Sequence, residues 1–536
     1  MKIQKVKIGN KEVMPFTIPS GIVTTEVSCL ERIAREIPEI GILTTKSIGP
    51  EPRAGNREPI LAQYIHGGFV NAVGLTNPGC EEFAKKLDSI NFPSDKFLLI
   101  SVFGKNADEF VYAAKTLEKY ADGFELNLSC PHAKGYGMQL GQDSEVVGEI
   151  TNAVTKEIKK PIFAKLTPNA GNIADIAESA MKNGAYGITA INTVGPGYHP
   201  VDRNPVLTNK VGGLSGIGIK PLGLKCVRDI TQKLGDIPII AMGGISNARD
   251  VEDYDSVGAG YFGIGSATAG MTEKAMKEYF SRLIKDLNDG RDNASIFLED
   301  INMSYMKFKI HEKIDSASDF SIFKTNEYLD ANPGQFVFAW VPGVGEKPFS
   351  VMDNDPFTLG ILKRGEFTTK INSLKKGDEF YFRGPYGEGI NVDMDSKVVL
   401  VGGGCGIAGI YLMAKQFWNK NVTSLLAAKD REHIPYLREF HKYGLVKVAT
   451  EDGSYGKKGL ITDLLKDYKI SADYFINCGP KAMVDAVLPL ELKLTSPEKI
   501  YSSVDYMTRC GVGICGSCAD KNGKRTCVEG PFMQHN

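Results

Sequence analysis

The 536-residue chain has almost no net charge: 63 Lys and Arg stand against 64 Asp and Glu, leaving −1. It therefore lacks the basic footprint that nucleic acid or an anionic membrane surface would select. No run of about eighteen apolar residues is present, so no helical membrane span is expected. The opening segment MKIQKVKIGNKEVMPF has no signal-peptide apolar core. Six of the ten cysteines (Cys29, Cys80, Cys130, Cys226, Cys405 and Cys478) are scattered without a disulfide-like framework, as expected of a reducing cytoplasm. What remains is an ordinary globular balance, 42% hydrophobic and 24% charged, in a chain too long for one core. About three or four domains are expected.

The other four cysteines are not scattered. Cys510, Cys515 and Cys518 have C-x4-C-x2-C spacing, with Cys527 a short loop later. This is the plant-type arrangement for a [2Fe–2S] cluster. Thiolates are the soft ligands iron needs, and Gly511, Gly513 and Gly516 let backbone wrap an inorganic core. The competing reading is a four-cysteine structural zinc site, which usually shows two C-x2-C knuckles where this chain has one. A one-electron carrier implies redox partners upstream.

In the first three hundred residues, short apolar runs alternate with amphipathic stretches. Strands are expected near 16–19, 41–45, 97–102, 122–127, 161–166, 186–191, 237–242 and 260–264, with helices such as 107–120 and 173–183 between them. Eight strand-then-helix units predict a (β/α)8 TIM barrel, with its chemistry at the C-terminal ends of the strands. Those ends are polar in this chain: Ser20, Lys46-Ser47, Asn127, Lys165, Asn192-Thr193, Gly243-Gly244 and Gly265-Ser266. The glycines after strands seven and eight stand where such barrels commonly bind phosphate, so a phosphate-bearing cofactor is expected.

The segment Asn127-Leu128-Ser129-Cys130-Pro131-His132 makes the reading specific. Together with TTKSIGP around Lys46, NAVGLTNP from Asn71, KLTPN at Lys165, INT at 191–193, GGLSG at 212–216, AMGGI at 241–245 and GIGSA at 263–267, it resembles the class 1 dihydroorotate dehydrogenases. The resemblance implies FMN held by Ser20, Lys46, Ser47, Asn127, Lys165, Ile191, Gly216, Gly243, Gly244, Gly265 and Ser266, with Lys165 at the pyrimidine edge of the flavin ring. It implies dihydroorotate or orotate held by Lys46, Asn71, Gly74, Leu75, Asn127, Asn192 and Thr193. It also makes Cys130 the general base, which requires tuning, since a thiol ordinarily ionises near about 8.5. The family usually has asparagine at the end of strand three, where this chain has Ser101.

Beyond a polar stretch at 286–303, short segments with Gly/Pro turns predict a small antiparallel β-barrel. An apolar strand from Lys397 then enters Gly404-Cys405-Gly406-Ile407-Ala408-Gly409, a G-x-G-x-x-G loop opening a helix, whose N-terminus can receive a pyrophosphate. A glycine turn made only for tight helix–strand packing is the alternative. With PGQF, KPFS, GPYG, TEDGS at 450–454 and NCGP at 477–480, this half is similar to the ferredoxin-reductase-like electron-transfer subunit of NAD-linked dihydroorotate dehydrogenases. The resemblance implies FAD at Lys347, Pro348, Phe349, Ser350 and Thr368, and NAD at Gly402, Gly403, Gly404, Gly406, Cys478, Gly479 and Pro480. Lys347 stands where the family usually has arginine, and 366–368 (EFT) where it generally has GKGT. Asp430 suits a ribose 2′-hydroxyl; Lys429 and Arg431 suit a 2′-phosphate.

The expected organisation is an FMN barrel at 1–298, an FAD β-barrel at 299–393, an α/β NAD domain at 394–498 and a [2Fe–2S] domain at 499–536. Electrons would pass from dihydroorotate through FMN, the cluster and FAD to NAD, in a homodimer formed through the barrel, with no nucleic-acid or membrane partner. A dihydropyrimidine dehydrogenase-like reductase of uracil or thymine, an electron conduit without pyrimidine chemistry, and a nonenzymatic flavin scaffold are the alternatives.

Overall fold

The computed structural model describes every residue except 129–139, 291–298, 394, 419–420, 468–470, 504–505 and 536. The chain divides into two compact units, Met1–Ile301 with Val512–Arg525, and Asn302–Gly511 with Thr526–Asn536. The segment 499–536, expected as one small domain, is thus shared between them.

In the first unit, eight parallel strands close into a barrel: β1 Phe16–Ile18, β2 Ile40–Thr44, β3 Phe97–Val102, β4 Gly123–Asn127, β5 Ile162–Lys165, β6 Gly187–Ala190, β7 Ile239–Met242 and β8 Tyr261–Gly263. Every strand lies within one or two residues of its expected position, because each is a short apolar run buried on both faces. The barrel interior is filled from below by Ile42, Phe97, Leu99, Phe163, Ile240, Met242 and Tyr261. Ile8 and Val13 of the hairpin Val6–Ile8/Lys11–Val13 join that cluster and close the N-terminal mouth.

The helices start on side-chain caps that the sequence supplies. Asn106, Asp143, Asn172 and Thr272 each accept a backbone N–H of the helix they precede, and Asn247 forms a capping box with Asp250. Two insertions escape the strand-then-helix pattern. Leu61–Ile65, Gly68–Asn71, Val194–Tyr198 and Val211–Gly216 pair as an antiparallel four-stranded sheet drawn from the loops after β2 and β6. Their glycines and prolines mask the strand signal in the sequence.

Val512–Arg525 is tied into this unit by backbone. Val23 N donates to Ile514 O (2.7 Å) and Gly270 N to Val512 O (2.8 Å). The Arg525 guanidinium, 1% exposed, donates to Met271 O (2.7 Å) and Gly513 O (2.9 Å).

The second unit begins with two four-stranded antiparallel sheets. One contains β9 Phe336–Val341, β10 Gly345–Ser350 and Glu379–Tyr386; the other contains Phe320–Lys324 and Phe357–Leu362. Phe308, Phe323, Val337, Leu359 and Phe380 lie in one apolar cluster formed with both sheets. A seven-stranded sheet follows, whose central strand β11 Val398–Gly403 lies between β12 Thr423–Ala428 and β13 Tyr474–Cys478. All three are parallel. The chain runs outward on one side of β11 and returns on the other. That reversal is the switch point where open α/β sheets hold ligands.

Candidate functional site

The C-terminal rim of the first unit gathers most of the polar strand ends that the sequence singled out. Asn127, at the end of β4, donates through Nδ2 to Ser47 Oγ (2.9 Å) and accepts at Oδ1 from Asn192 Nδ2 (3.3 Å). Asn192 Oδ1 accepts the backbone N–H of Thr193 (2.8 Å). Asn71 reaches the same neighbourhood through the inserted sheet, donating from Nδ2 to Gly213 O (3.2 Å). A Cβ added to Gly213 would fall 2.1 Å from Thr193 Oγ1, so only glycine allows that approach. Lys46 is half-buried, with its Nζ 3.2 Å from where a Cβ on Gly21 would stand. Gly74 and Leu75 are both left-handed (φ 81° and 58°), a bend that Leu75 holds while 5% exposed.

Below the amides lies a second layer. Ser20 Oγ and Ser47 Oγ are 3.0 Å apart, Ser47 Oγ and Ser101 Oγ 2.9 Å, and Ser101 donates to Glu125 Oε1 at 3.0 Å. Lys165 Nζ, from β5, donates to the same carboxylate oxygen at 3.3 Å. Ser101 thus uses its hydroxyl to join β2 to β4.

The glycines after β7 make a cradle of backbone. Gly243 and Gly244 are left-handed (φ 123° and 82°), and a Cβ on Gly244 would lie 2.9 Å from Gly216 O. Tyr254 OH donates to Gly243 O at 2.7 Å and so fixes the turn. Burial pushes its phenol well above the ordinary range, which keeps it a neutral donor. Ile191 N donates to Met242 O (3.1 Å), and Gly265 and Ser266 open a short turn after β8. Side-chain-free backbone of this shape suits a phosphate and a flat ring. Cys130, with Ser129, Pro131 and His132, lies outside the described residues.

The sequence profile of the dihydroorotate dehydrogenase family matches residues 3–289, more than half of the chain. The chain belongs to that family. It is 42% identical over 278 residues to dihydroorotate dehydrogenase B (NAD(+)), catalytic subunit, of Pyrococcus horikoshii, covering 51% of this chain and 89% of the relative. It is 41% identical over 256 residues to the protein of the same name from Methanocaldococcus jannaschii, covering 47% and 82%. Among solved structures, DHODH from Eimeria tenella in complex with ferulenol is 20% identical, with a TM-score of 0.44 over 53% of this chain and 82% of the other. An NADH-dependent reduced ferredoxin-NADP oxidoreductase structure is 28% identical, with a TM-score of 0.40 over 42% and 87%. The chain is an oxidoreductase of the dihydroorotate dehydrogenase family, and among its described residues no helix is long and apolar enough to cross a membrane.

The family match ends at residue 289, before the second unit begins. There, Lys347, Pro348, Phe349 and Ser350 lie along β10, paired with β9. Lys347 is exposed, the other three are half-buried, and the Phe349 ring stacks on Phe367 (6.3 Å, 23°). Thr368 spends its hydroxyl locally, accepting from Arg364 N (2.8 Å) and Gly365 N (3.0 Å) at the start of its own helix.

The three glycines of the G-x-G-x-x-G loop have different work. Gly404 is left-handed (φ 55°) with open space where a side chain would be. A Cβ on Gly406 would strike Cys478 O at 2.1 Å, and one on Gly409 would sit 2.9 Å from Cys478 Sγ and 3.2 Å from Ser350 Oγ. Gly406 and Gly409 therefore serve close packing, and that packing brings the Phe349-Ser350 strand beside Cys478 at the end of β13. Gly402 and Gly403 end β11, with Met483 Sδ 2.3 Å from where a Cβ on Gly403 would stand. Gly479 and Pro480 lead from β13 into the helix Lys481–Glu491. Burial pushes the Cys478 thiol up to about 12, so it is a neutral thiol at neutral pH. The Asp430 carboxylate caps its own turn and accepts from His433 N (3.1 Å), with His433 Nδ1 at 2.7 Å.

Cys510, Cys515, Cys518 and Cys527 are all buried, at 1%, 6%, 1% and 1% exposure. Gly511, Gly513 and Gly516 are each left-handed (φ 85°, 71° and 68°), as a loop wrapping a compact core requires. Cys510 and Cys527 belong to the second unit and Cys515 and Cys518 to the first. Among the described residues no group of three or more His, Cys, Asp or Glu side chains stands as a metal site. Buried thiols beside left-handed glycines are the donor chemistry an iron–sulfur cluster takes.

The sequence reading missed Glu125, Arg383 and the hydrogen-bonding of Ser20, Ser47 and Ser101 into one chain. Glu125 carried a signal: it is two residues before Asn127 on β4, so both point to the same face, and a carboxylate inside an apolar strand needs a reason. Arg383 carried none. Its bidentate pairing with Glu346 (2.6 and 2.8 Å) and its donation to Cys510 O (2.9 Å) depend on the fold alone.

Proposed function

We propose that the chain oxidises (S)-dihydroorotate to orotate in the synthesis of UMP and passes the electrons to NAD within one polypeptide. The first unit would carry the pyrimidine chemistry and the second the reductase chemistry that elsewhere belongs to a separate subunit. The observation that carries the reading is the gathering of Asn71, Asn127, Asn192 and Thr193 on one rim of the family's barrel. Every heteroatom of dihydroorotate is a hydrogen-bonding group, and an amide-rich pocket can satisfy them. Lys46 would hold the carboxylate. Cys130 would take the proton from C5 while C6 gives up a hydride, leaving the C5=C6 double bond of orotate.

The Gly216, Gly243, Gly244, Gly265 and Ser266 backbone would hold FMN, which would supply the hydride acceptor; a [2Fe–2S] cluster would supply one-electron transfer and FAD two-electron chemistry toward NAD. Lys165 would stand at the flavin edge and Ser20, Ser47, Asn127 and Ile191 around the ring. In the second unit, Phe349 and Ser350 would receive FAD, with Lys347 as a single point charge for its phosphates. Open space at Gly404, beside the switch point, would receive the NAD pyrophosphate, with Cys478, Gly479 and Pro480 near the nicotinamide. A homodimer through the barrel completes the reading.

Anaerobic addition of dihydroorotate to the purified chain tests it. Flavin and cluster absorption should bleach together, and NAD should restore both. C130S should abolish the bleaching while NADH still reduces a dye. Zinc in place of iron and acid-labile sulfide would refute the electron path.

A further inference from the structure

Glu125 is 1% exposed and lies inside the barrel, where side chains are ordinarily Val, Ile or Leu. Its Oε1 receives Lys165 Nζ at 3.3 Å and Ser101 Oγ at 3.0 Å. Its Oε2 is buried with no hydrogen-bond partner among the described residues. An ion pair kept for stability would have both oxygens satisfied, because a desolvated, half-partnered carboxylate costs several kcal/mol. In general a hydrophobic residue of similar size in place of such a buried pair is neutral or stabilising as often as not. What the carboxylate adds is charge, and among the described residues the cation that pairs with it is Lys165, itself 4% exposed.

We propose that Glu125 is the positioning counter-charge of Lys165 and that, through Lys165, it lowers the reduction potential of the flavin on the barrel rim. This rests on the flavin reading given above. A hydride from C6 of the substrate would bring two electrons and one proton to a bound flavin, adding one net negative charge there. A lysine ammonium at the ring edge favours that charged product, and a carboxylate 3.3 Å behind the ammonium offsets the gain. Ser101 donates to the same oxygen as Lys165 and withdraws part of the carboxylate's charge from it. Ser47 and Ser20 extend that hydroxyl chain to the rim. Glu125 and Ser101 thus set how much of the Lys165 charge the ring experiences, with opposite signs.

The substitution that tests this is gentle. In E125Q the amide oxygen can keep the bonds from Lys165 and Ser101, while the NH2 takes the Oε2 position, where no bond is lost. Redox titration of the full-chain holoprotein, with FMN and FAD identified after release, reads the outcome. In E125Q the FMN wave should move to more positive potential and the FAD wave should stay. In S101A the FMN wave should move to more negative potential. In a K165M background, E125Q should produce no shift. If E125Q releases its FMN, the direction in S101A decides alone. An unmoved FMN wave, or a shift of the same sign in E125Q and S101A, overturns the role of Glu125 and leaves the flavin reading standing. A wild-type protein without FMN overturns both.

Discussion

Glu491 offers a measurable consequence of burial. It ends the helix Lys481–Glu491 at 0% exposure. Asn477 Nδ2, from β13, donates to its Oε2 at 2.8 Å and to Ser502 Oγ at 3.1 Å. Glu491 Oε1 and Asn477 Oδ1 are buried without a hydrogen-bond partner among the described residues. Burial pushes the Glu491 carboxyl up to about 7 from an ordinary 4.5, and the bond from Asn477 recovers only part of that cost. A raised carboxyl binds its proton more tightly when folded. Its favourable contribution is therefore complete below the unfolded value, near pH 4.5, and is lost as pH rises through about 7. The loss is on the order of 3 kcal/mol, against the roughly 5–15 kcal/mol that holds an ordinary domain.

The perturbation is E491Q, which keeps the shape and an acceptor for Asn477 but cannot ionise. A chain of two units need not unfold in one step, so a global melt would blur the effect. Hydrogen exchange at the amides of β13, corrected for the intrinsic rate, reads it locally. Wild-type protection should fall from pH 5 to pH 8 while E491Q stays level. The two should coincide below about pH 4.5 and differ by about 3 kcal/mol at pH 8. Parallel profiles would show that Glu491 does not change protonation across this range, and would refute the reasoning.

Three further expectations concern single sites. G406A places a Cβ 2.1 Å from Cys478 O. The helix must shift by an ångström or so, and NADH-driven dye reduction should fall about a hundredfold while dihydroorotate still bleaches FMN; unchanged dye reduction would show that the loop does not hold NAD. G516A combines a left-handed φ of 68° with a Cβ 2.0 Å from Val23 O, so iron content per chain should drop sharply; full iron occupancy would separate this loop from the cluster. K46A should raise the KM for dihydroorotate and leave NADH-driven dye reduction intact, whereas unchanged dihydroorotate kinetics would favour a substrate without a carboxylate, such as uracil.

The eight barrel strands were legible because each is an apolar run bounded by polar residues, and burial on both faces leaves few other ways to place such runs. The place of the rim residues was legible because Asn127, Lys165, Asn192 and Thr193 all interrupt apolar patterns at strand ends. The inserted sheet was not. Its strand Val194–Tyr198 contains Gly195, Pro196 and Gly197, which read as a turn. It forms because Val211–Gly216 supplies hydrogen-bonding partners along one edge, and Gly68–Asn71 pairs in turn with the far edge of Val211–Gly216. That pairing spans well over a hundred residues of sequence. No local pattern announces it.

The same distinction applies to the G-x-G-x-x-G loop, which pattern finds without showing what each glycine is for. The spacing marks three glycines alike, but the reasons for them differ by neighbour. Gly404 faces open space and can admit a ligand; Gly406 and Gly409 meet Cys478, and Gly409 also meets Ser350. Sequence reveals that side chains are excluded, and only the fold reveals what excludes them. Where the excluding atom belongs to the protein, the glycine is a packing device, and its substitution displaces strands. Where nothing excludes the side chain, as at Gly404, the left-handed φ of 55° is the remaining constraint, which asparagine meets more easily than alanine. G404N should therefore fold as the parent does and lose affinity for NADH through its added bulk. A G404N protein that binds NADH with the parent's Kd would place the pyrophosphate away from this loop.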